Sequence, residues 1–245
     1  LKAIKINLPK KYDYKEGISR PEYKKFDGWN KISYSQNGSF KDYKEQYLQD
    51  YILGVGTGES GIFASFGSDC GDYLNPYDTG DYLLLSTEDK VILDTLKEKH
   101  PFNAEFEYEI LIDLEPFGLE KTCVQAFTDR QHYVEDKIHI LDYKTLTIKT
   151  KRAYYESDDY KQLSVYGYGL EELGFKIGRT SVTGLGRLGN TTEQGNKNVL
   201  RLSGEIIEIE KPYDREKAIL AIKEIVESCK EISEYWKIYS KLFAQ

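Results

Sequence analysis

The chain has 245 residues, 40% of them hydrophobic, 13% aromatic and 31% charged, with a formal net charge of −7. That length buries a substantial core in one large domain or two small ones. No apolar run approaches the ~20 residues that cross a bilayer, and the acidic balance argues against a general nucleic-acid coat. Cys70, Cys123 and Cys229 are scattered and lack metal-ligand spacing, so no disulfide framework, zinc site or iron–sulfur cluster is expected. His100, His132 and His139 are unclustered and read as structural or surface groups. A soluble, cytoplasmic protein without a membrane partner is the expectation.

Residues 1–31 are polar, with basic and Tyr-rich stretches, and read as an arm on the body; the alternative is a basic aromatic segment that touches nucleic acid. From Ser39, "SFKDYKEQYLQDYIL" places Phe40, Tyr43, Tyr47, Tyr51 and Ile52 at helical spacing. "IFASFGSDCGDYL" (62–74) and "STEDKVILDTLKEK" (86–99) read as two more helices, the second capped by Ser86 or Thr87. Then the period changes. "AEFEYEILIDLE" (104–115) alternates, with Phe106, Tyr108, Ile110, Ile112 and Leu114 on one face, as a half-buried strand does. Two further strands follow at 121–131 and 137–145, joined through "HYVED". A helix over 158–174 ends at Gly174. "FKIGRTSVTGLG" and "NVLRLSGEIIEIE" form strands around a Gly-, Asn- and Thr-rich hairpin, and 213–243 is a long amphipathic helix. The sum is one α/β domain over 1–245: a polar arm (1–31), a helical part (32–100) and an α/β core (101–245) with a mixed central sheet flanked by helices.

"GVGTGESG" (54–61) invites a phosphate-loop reading, but Glu59 stands where the phosphate-binding Lys belongs and the spacing is one residue short. No nucleotide is therefore expected, and any helicase motor would act in trans. "KTKR" (149–152) and "GLGRLGNTTEQGNK" (184–197) read as loops. Their Lys149, Lys151, Arg152 and Arg187 are candidate DNA-backbone contacts, since Lys and Arg supply phosphate affinity.

The tripeptide Asp-Tyr-Lys occurs four times, at 13–15, 42–44, 142–144 and 159–161. The first lies in the polar arm. The second and fourth lie in helical patterns, where residues i and i+2 diverge by about 200°, so all three read as solvated surface. The copy at 142–144 ends the apolar run Ile138, Ile140, Leu141. In a strand, Asp142 and Lys144 share a face about 7 Å apart, while the Tyr143 carbonyl can face the same site. Asp129, in "AFTDR", ends the preceding strand. If the strands are neighbours, two carboxylates and a carbonyl converge into an all-oxygen site suited to Mg²⁺ or Mn²⁺. A salt bridge at a strand end fits the same spacing.

"AFTDRQ…IHILDYKT…YYESDDYKQLSVYGYGLEELG" resembles the PD-(D/E)XK nuclease superfamily in its RecB-like exonuclease branch, of the type carried by phages and mobile elements. Asp129, Asp142, Lys144, Gln162 and Tyr166 fall on that branch's motif positions. The resemblance implies a restriction-endonuclease-like core. It implies Asp129 and Asp142 as metal ligands with the Tyr143 carbonyl, and Lys144 orienting or activating a water. It also implies Gln162 and Tyr166 lining the site or holding DNA. Two departures stand out. Gly71, followed by Asp72, occupies the place of a family His, leaving Asp72 as a substitute metal-shell acid or a solvated helix residue. "AFTDR" also lacks the Gly that usually precedes the first Asp.

The resemblance leads to the expectation of an Mg²⁺- or Mn²⁺-dependent deoxyribonuclease, an exonuclease acting on DNA ends in recombination, repair or degradation. The alternatives are an inactive DNA- or protein-binding module of the same fold, an endonuclease, or an RNA-directed phosphodiesterase. Oligomeric state is not legible.

Overall fold

The computed structural model describes residues 26–54, 61–75, 80–99, 104–189 and 200–242, with side chains at 104–107 and 240–242 excepted. The architecture is α/β. A mixed six-stranded sheet runs β1-β3-β4-β5-β6, with β2 also on β3. The strands are β1 (Asn30–Ile32), β2 (Ala104–Asp113), β3 (Thr122–Val134), β4 (Lys137–Leu146), β5 (Lys176–Leu188) and β6 (Arg201–Pro212). The β1–β3 and β4–β5 pairs are parallel and the others antiparallel. Around it lie α1 (Tyr34–Asp42), α2 (Lys44–Tyr47), α3 (Ile62–Leu74), α4 (Thr87–Lys97), α5 (Ile148–Glu156), α6 (Gln162–Glu172) and α7 (Arg215–Leu242).

Strand alternation gives the sheet two apolar faces, and each buries against helices. On one face Ile110, Ile112, Val124, Ile140 and Val182 meet Leu163 and Leu170 of α6 and Ile222, Ile225 and Val226 of α7. On the other, Leu141, Tyr143, Leu185 and Leu202 meet Phe66, Cys70 and Leu74 of α3 and Leu93 and Leu96 of α4. Gly169 lets α6 approach β2 closely: a Cβ there would lie 2.2 Å from Ile110 Cγ2. No described helix is long and apolar enough to cross a membrane.

The β3–β4 register is the feature that shapes the site. β2 occupies one edge of β3 from Ala104↔His132 to Asp113↔Cys123. On the opposite edge, β1 pairs only with Thr122, Cys123 and Val124. β4 pairs there only from Val134↔Lys137 to Arg130↔Leu141. Beyond Arg130 and Leu141 the two strands part. β4 continues along β5 as far as Leu146↔Gly186, leaving a fork with 125–129 on one arm and 142–146 on the other.

Several expectations are corrected. The helix over 39–53 is broken: α1 starts at Tyr34 behind a Ser33–Gln36 capping box, ends at Tyr43, and is followed by α2 and a wide π-type turn, Leu48–Leu53. The end of the proposed arm contributes β1, while 1–25 lie outside the described residues, as do 55–60 of the glycine-rich loop. β3 and β4 run through most of "HYVED", leaving Glu135 (φ 56°) and Asp136 as the turn. "KTKR" is not a loop but part of α5. The helix expected from 158 begins at Gln162, with Lys161 as its N-cap residue. Residues 190–199 of the expected hairpin lie outside the described residues. Ser86 caps α4 as expected, and Asp89 completes a capping box with it.

Candidate active site

The fork brings Asp129 and Asp142 together. Where the ladder stops, the Tyr143 N–H has no β3 carbonyl to reach and donates instead to Asp129 Oδ2 at 2.6 Å. A buried amide must find an acceptor, and here a carboxylate supplies it. The N–H and C=O of one extended residue point to the same strand edge, so the Tyr143 carbonyl also faces the fork.

Asp142 is 1% exposed, and its Oδ2 accepts from Lys144 Nζ at 2.6 Å and from the Tyr160 hydroxyl at 2.9 Å. Its Oδ1 has a longer contact, 3.5 Å, from Gln162 Nε2. The same amide donates to the Tyr166 hydroxyl, and Gln162 Oε1 lies 3.1 Å from the Tyr160 oxygen. Gln162 and Tyr166 sit four apart on α6 and share one face. Close approach at Gly169 presses that helix onto β2.

Burial, then the adjacent Asp142 charge, pushes the Asp129 carboxyl up to about 7 against an ordinary 3.8, despite the Lys144 ammonium and the Tyr143 amide; the charge of Asp72 pushes the same way. For Lys144, burial works against the ammonium, but the Asp142 and Asp129 carboxylates outweigh it and hold the group protonated well above its ordinary range. In this arrangement the Lys144 ammonium donates to Asp142 Oδ2. Burial also raises Tyr160 and Tyr166, so both remain neutral hydroxyls.

A cleft of about 460 Å³ opens beside the fork, between α3 and the ends of β4 and β5. Phe63, Asp72, Asp129, Tyr143, Lys144 and Arg187 are among its lining. At Gly67 a Cβ would sit 3.0 Å from Thr145 Oγ1, so helix and sheet pinch together there. Arg187, on β5, lays its guanidinium 4.0 Å from the Phe63 ring centroid. No described carboxylate pairs with it, and burial lowers its pKa.

Of the residues read from sequence, Asp129, Tyr143, Asp142, Lys144, Gln162 and Tyr166 meet at the fork, and Asp72 and Arg187 line its cleft. Lys149, Lys151 and Arg152 do not reach the cleft. They lie exposed on α5, where Arg152 Nε pairs with Glu156 at 2.7 Å. The sequence reading missed Tyr160 and Phe63. The signal for Tyr160 was its place two residues before Gln162; for Phe63 there was none beyond an aromatic at a helix start.

No protein-family model matches the chain, and no curated protein matches it. Solved structures do. The chain is similar to an alkaline exonuclease (LHK-Exo) from Laribacter hongkongensis, at 12% identity and a TM-score of 0.44, over 87% of this chain and 93% of that one. It is similar to a candidate exonuclease from Eubacterium rectale, at 14% identity and a TM-score of 0.49, over 90% and 88%. A third, SSO0001, matches at 15% identity and a TM-score of 0.37, over 86% and 79%.

The donor set fits a hard divalent cation. Two carboxylates and a peptide carbonyl supply only oxygen, the ligand type that Mg²⁺ and Mn²⁺ prefer.

Proposed function

We propose that the chain is a divalent-metal-dependent deoxyribonuclease of the PD-(D/E)XK type, hydrolysing phosphodiester bonds as an exonuclease at DNA ends. The observation that carries this reading is the convergence of Asp129, Asp142 and Lys144 at the point where β3 and β4 part. Asp129, Asp142 and the Tyr143 carbonyl would hold Mg²⁺ or Mn²⁺. A bound divalent ion supplies positive charge to phosphoryl oxygens that become more negative as the bond breaks.

The chain's own groups do the rest. The Lys144 ammonium, fixed by Asp142, donates a hydrogen bond and charge to an attacking water or to a phosphate oxygen. Gln162 and Tyr166 hold the Asp142 side of the site in register. Arg187, stacked on Phe63, keeps its in-plane N–H donors available for a neighbouring backbone phosphate. Exonuclease action is supported by the resemblance of the motif region around Asp129, Asp142, Lys144 and Gln162 to the RecB-like exonuclease branch.

Linear, nicked and closed-circular DNA incubated with Mg²⁺, Mn²⁺ or EDTA tests the reading, alongside Asp142→Ala and Lys144→Ala. Metal-dependent loss of linear DNA alone is expected, with both substitutions abolishing it. Cleavage of closed circles would make the enzyme an endonuclease. Activity that survives both substitutions would overturn the site.

A further inference from the structure

We infer that Tyr160 is a positioning residue that selects which oxygen of Asp142 is presented to a bound divalent cation. The inference rests on the metal site proposed above.

Asp142 is buried, so protein donors rather than bulk water decide how its carboxylate is turned. Oδ2 is engaged twice at short range, by Lys144 Nζ at 2.6 Å and by the Tyr160 hydroxyl at 2.9 Å. Oδ1 has only the 3.5 Å contact from the Gln162 amide, at the outer limit of a hydrogen bond. One oxygen is thus occupied by the protein and the other is left for a metal.

Tyr160 has a single proton and two acceptors in reach, Asp142 Oδ2 and Gln162 Oε1 at 3.1 Å. The charged acceptor forms the stronger bond, so the proton goes to Asp142. The ring cannot swing away. It packs edge-on against Tyr155, with centroids 4.9 Å apart, and against Tyr154 at 5.8 Å. The next residue is tied down as well: Lys161 Nζ pairs with Glu224 at 2.8 Å, and its N–H donates to the Tyr34 hydroxyl at 3.3 Å. Orienting partners of this kind hold a ligating carboxylate in a single pose.

The test is calorimetric titration of Mn²⁺ into the DNA-free protein, its Tyr160→Phe variant and its Tyr154→Phe variant. Tyr160→Phe is expected to weaken Mn²⁺ binding by ~10–100-fold, and Tyr154→Phe to leave it unchanged. In the nuclease assay, Tyr160→Phe should raise the Mn²⁺ concentration for half-maximal rate while recovering the rate at saturating Mn²⁺. Its DNA KM should not move. Equal Mn²⁺ affinity in Tyr160→Phe and the unmodified chain overturns the role of Tyr160 and leaves the metal site standing. An unmodified chain that binds no Mn²⁺ overturns both. Should Tyr160→Phe unfold, Tyr155→Ala loosens the ring without touching the hydroxyl. It should weaken Mn²⁺ binding in the same direction, and unaltered affinity there would equally overturn the proposal.

Discussion

The position of Asp129 costs the fold stability as the pH rises. Its folded pKa of about 7 lies above its ordinary 3.8, so between those values the folded protein keeps a proton that the unfolded chain has lost. Stability contributed by Asp129 is therefore full at low pH, falls as pH rises through this window, and is lost above it. Asn at this position can still accept from the Tyr143 amide but carries no charge. In EDTA, Asp129→Asn should melt several degrees above the parent near pH 8 and close to it near pH 4, by linkage; equal melting near pH 8 would contradict the account. Asp142 and Lys144 were legible because strand alternation puts i and i+2 on one face, and the 2.6 Å ion pair realises that spacing. Asp129 was legible through its neighbouring strand. The fourth Asp-Tyr-Lys copy was misread: as helix it was surface, yet Lys161 stands just before α6 with its ammonium on Glu224, and Tyr160 turns inward onto the Asp142 of the third copy. Local sequence could not say this, because the contact spans eighteen residues and depends on where α6 begins.

The elements that carry the site depend on a few close approaches. Gly169 sets how deeply α6 lies on β2, and Gly169→Ala would press a methyl into Ile110 and Ile112. Overpacking of this kind costs ~1–3 kcal/mol, to be read as a lower urea midpoint, with nuclease activity falling too if α6 retreats from Asp142. On the opposite face, the Asp89 carboxylate accepts the N–H and hydroxyl of Ser86, the N-cap of α4, and also the Leu202 N–H at 2.6 Å, tying that helix to β6. Asp89→Ala leaves a buried amide unpaired, a loss of about 1–3 kcal/mol that should lower the melting temperature while sparing Mn²⁺ binding. The strands and the long C-terminal helix were readable because their apolar periods are uninterrupted. Helix α5 was not: none of its residues is fully buried, and its one core contact, Tyr155, is too little to mark a period. The break at Tyr43 was hidden for the opposite reason. Phe40 and Tyr47 are both buried and seven apart, a spacing that an unbroken helix would also give.

Over the whole molecule, a chain of net charge −7 can hold DNA only where cations are gathered locally. Arg187 lies in the cleft, and Lys149 and Lys151 are exposed on α5, with no described acidic partner. Binding of an uncleaved oligonucleotide in Ca²⁺ should weaken steeply with salt. Lys149→Glu with Lys151→Glu should flatten that dependence by about one unit of slope per lysine. Arg152→Ala should matter less, because its charge is already met by Glu156; an unchanged slope in the double variant would remove α5 from the DNA path. The short β3–β4 ladder has a mechanical consequence. Five residue pairs join these strands, against nine for β2–β3 and nine for β4–β5. The sheet is thus two plates stitched along a brief seam, with Asp129 on one plate and Asp142 on the other. A cation held between them would act as a rivet. Amide hydrogen exchange should reveal it, as slowed exchange on adding Mn²⁺ concentrated at 125–134 and 137–146 and little changed in β6.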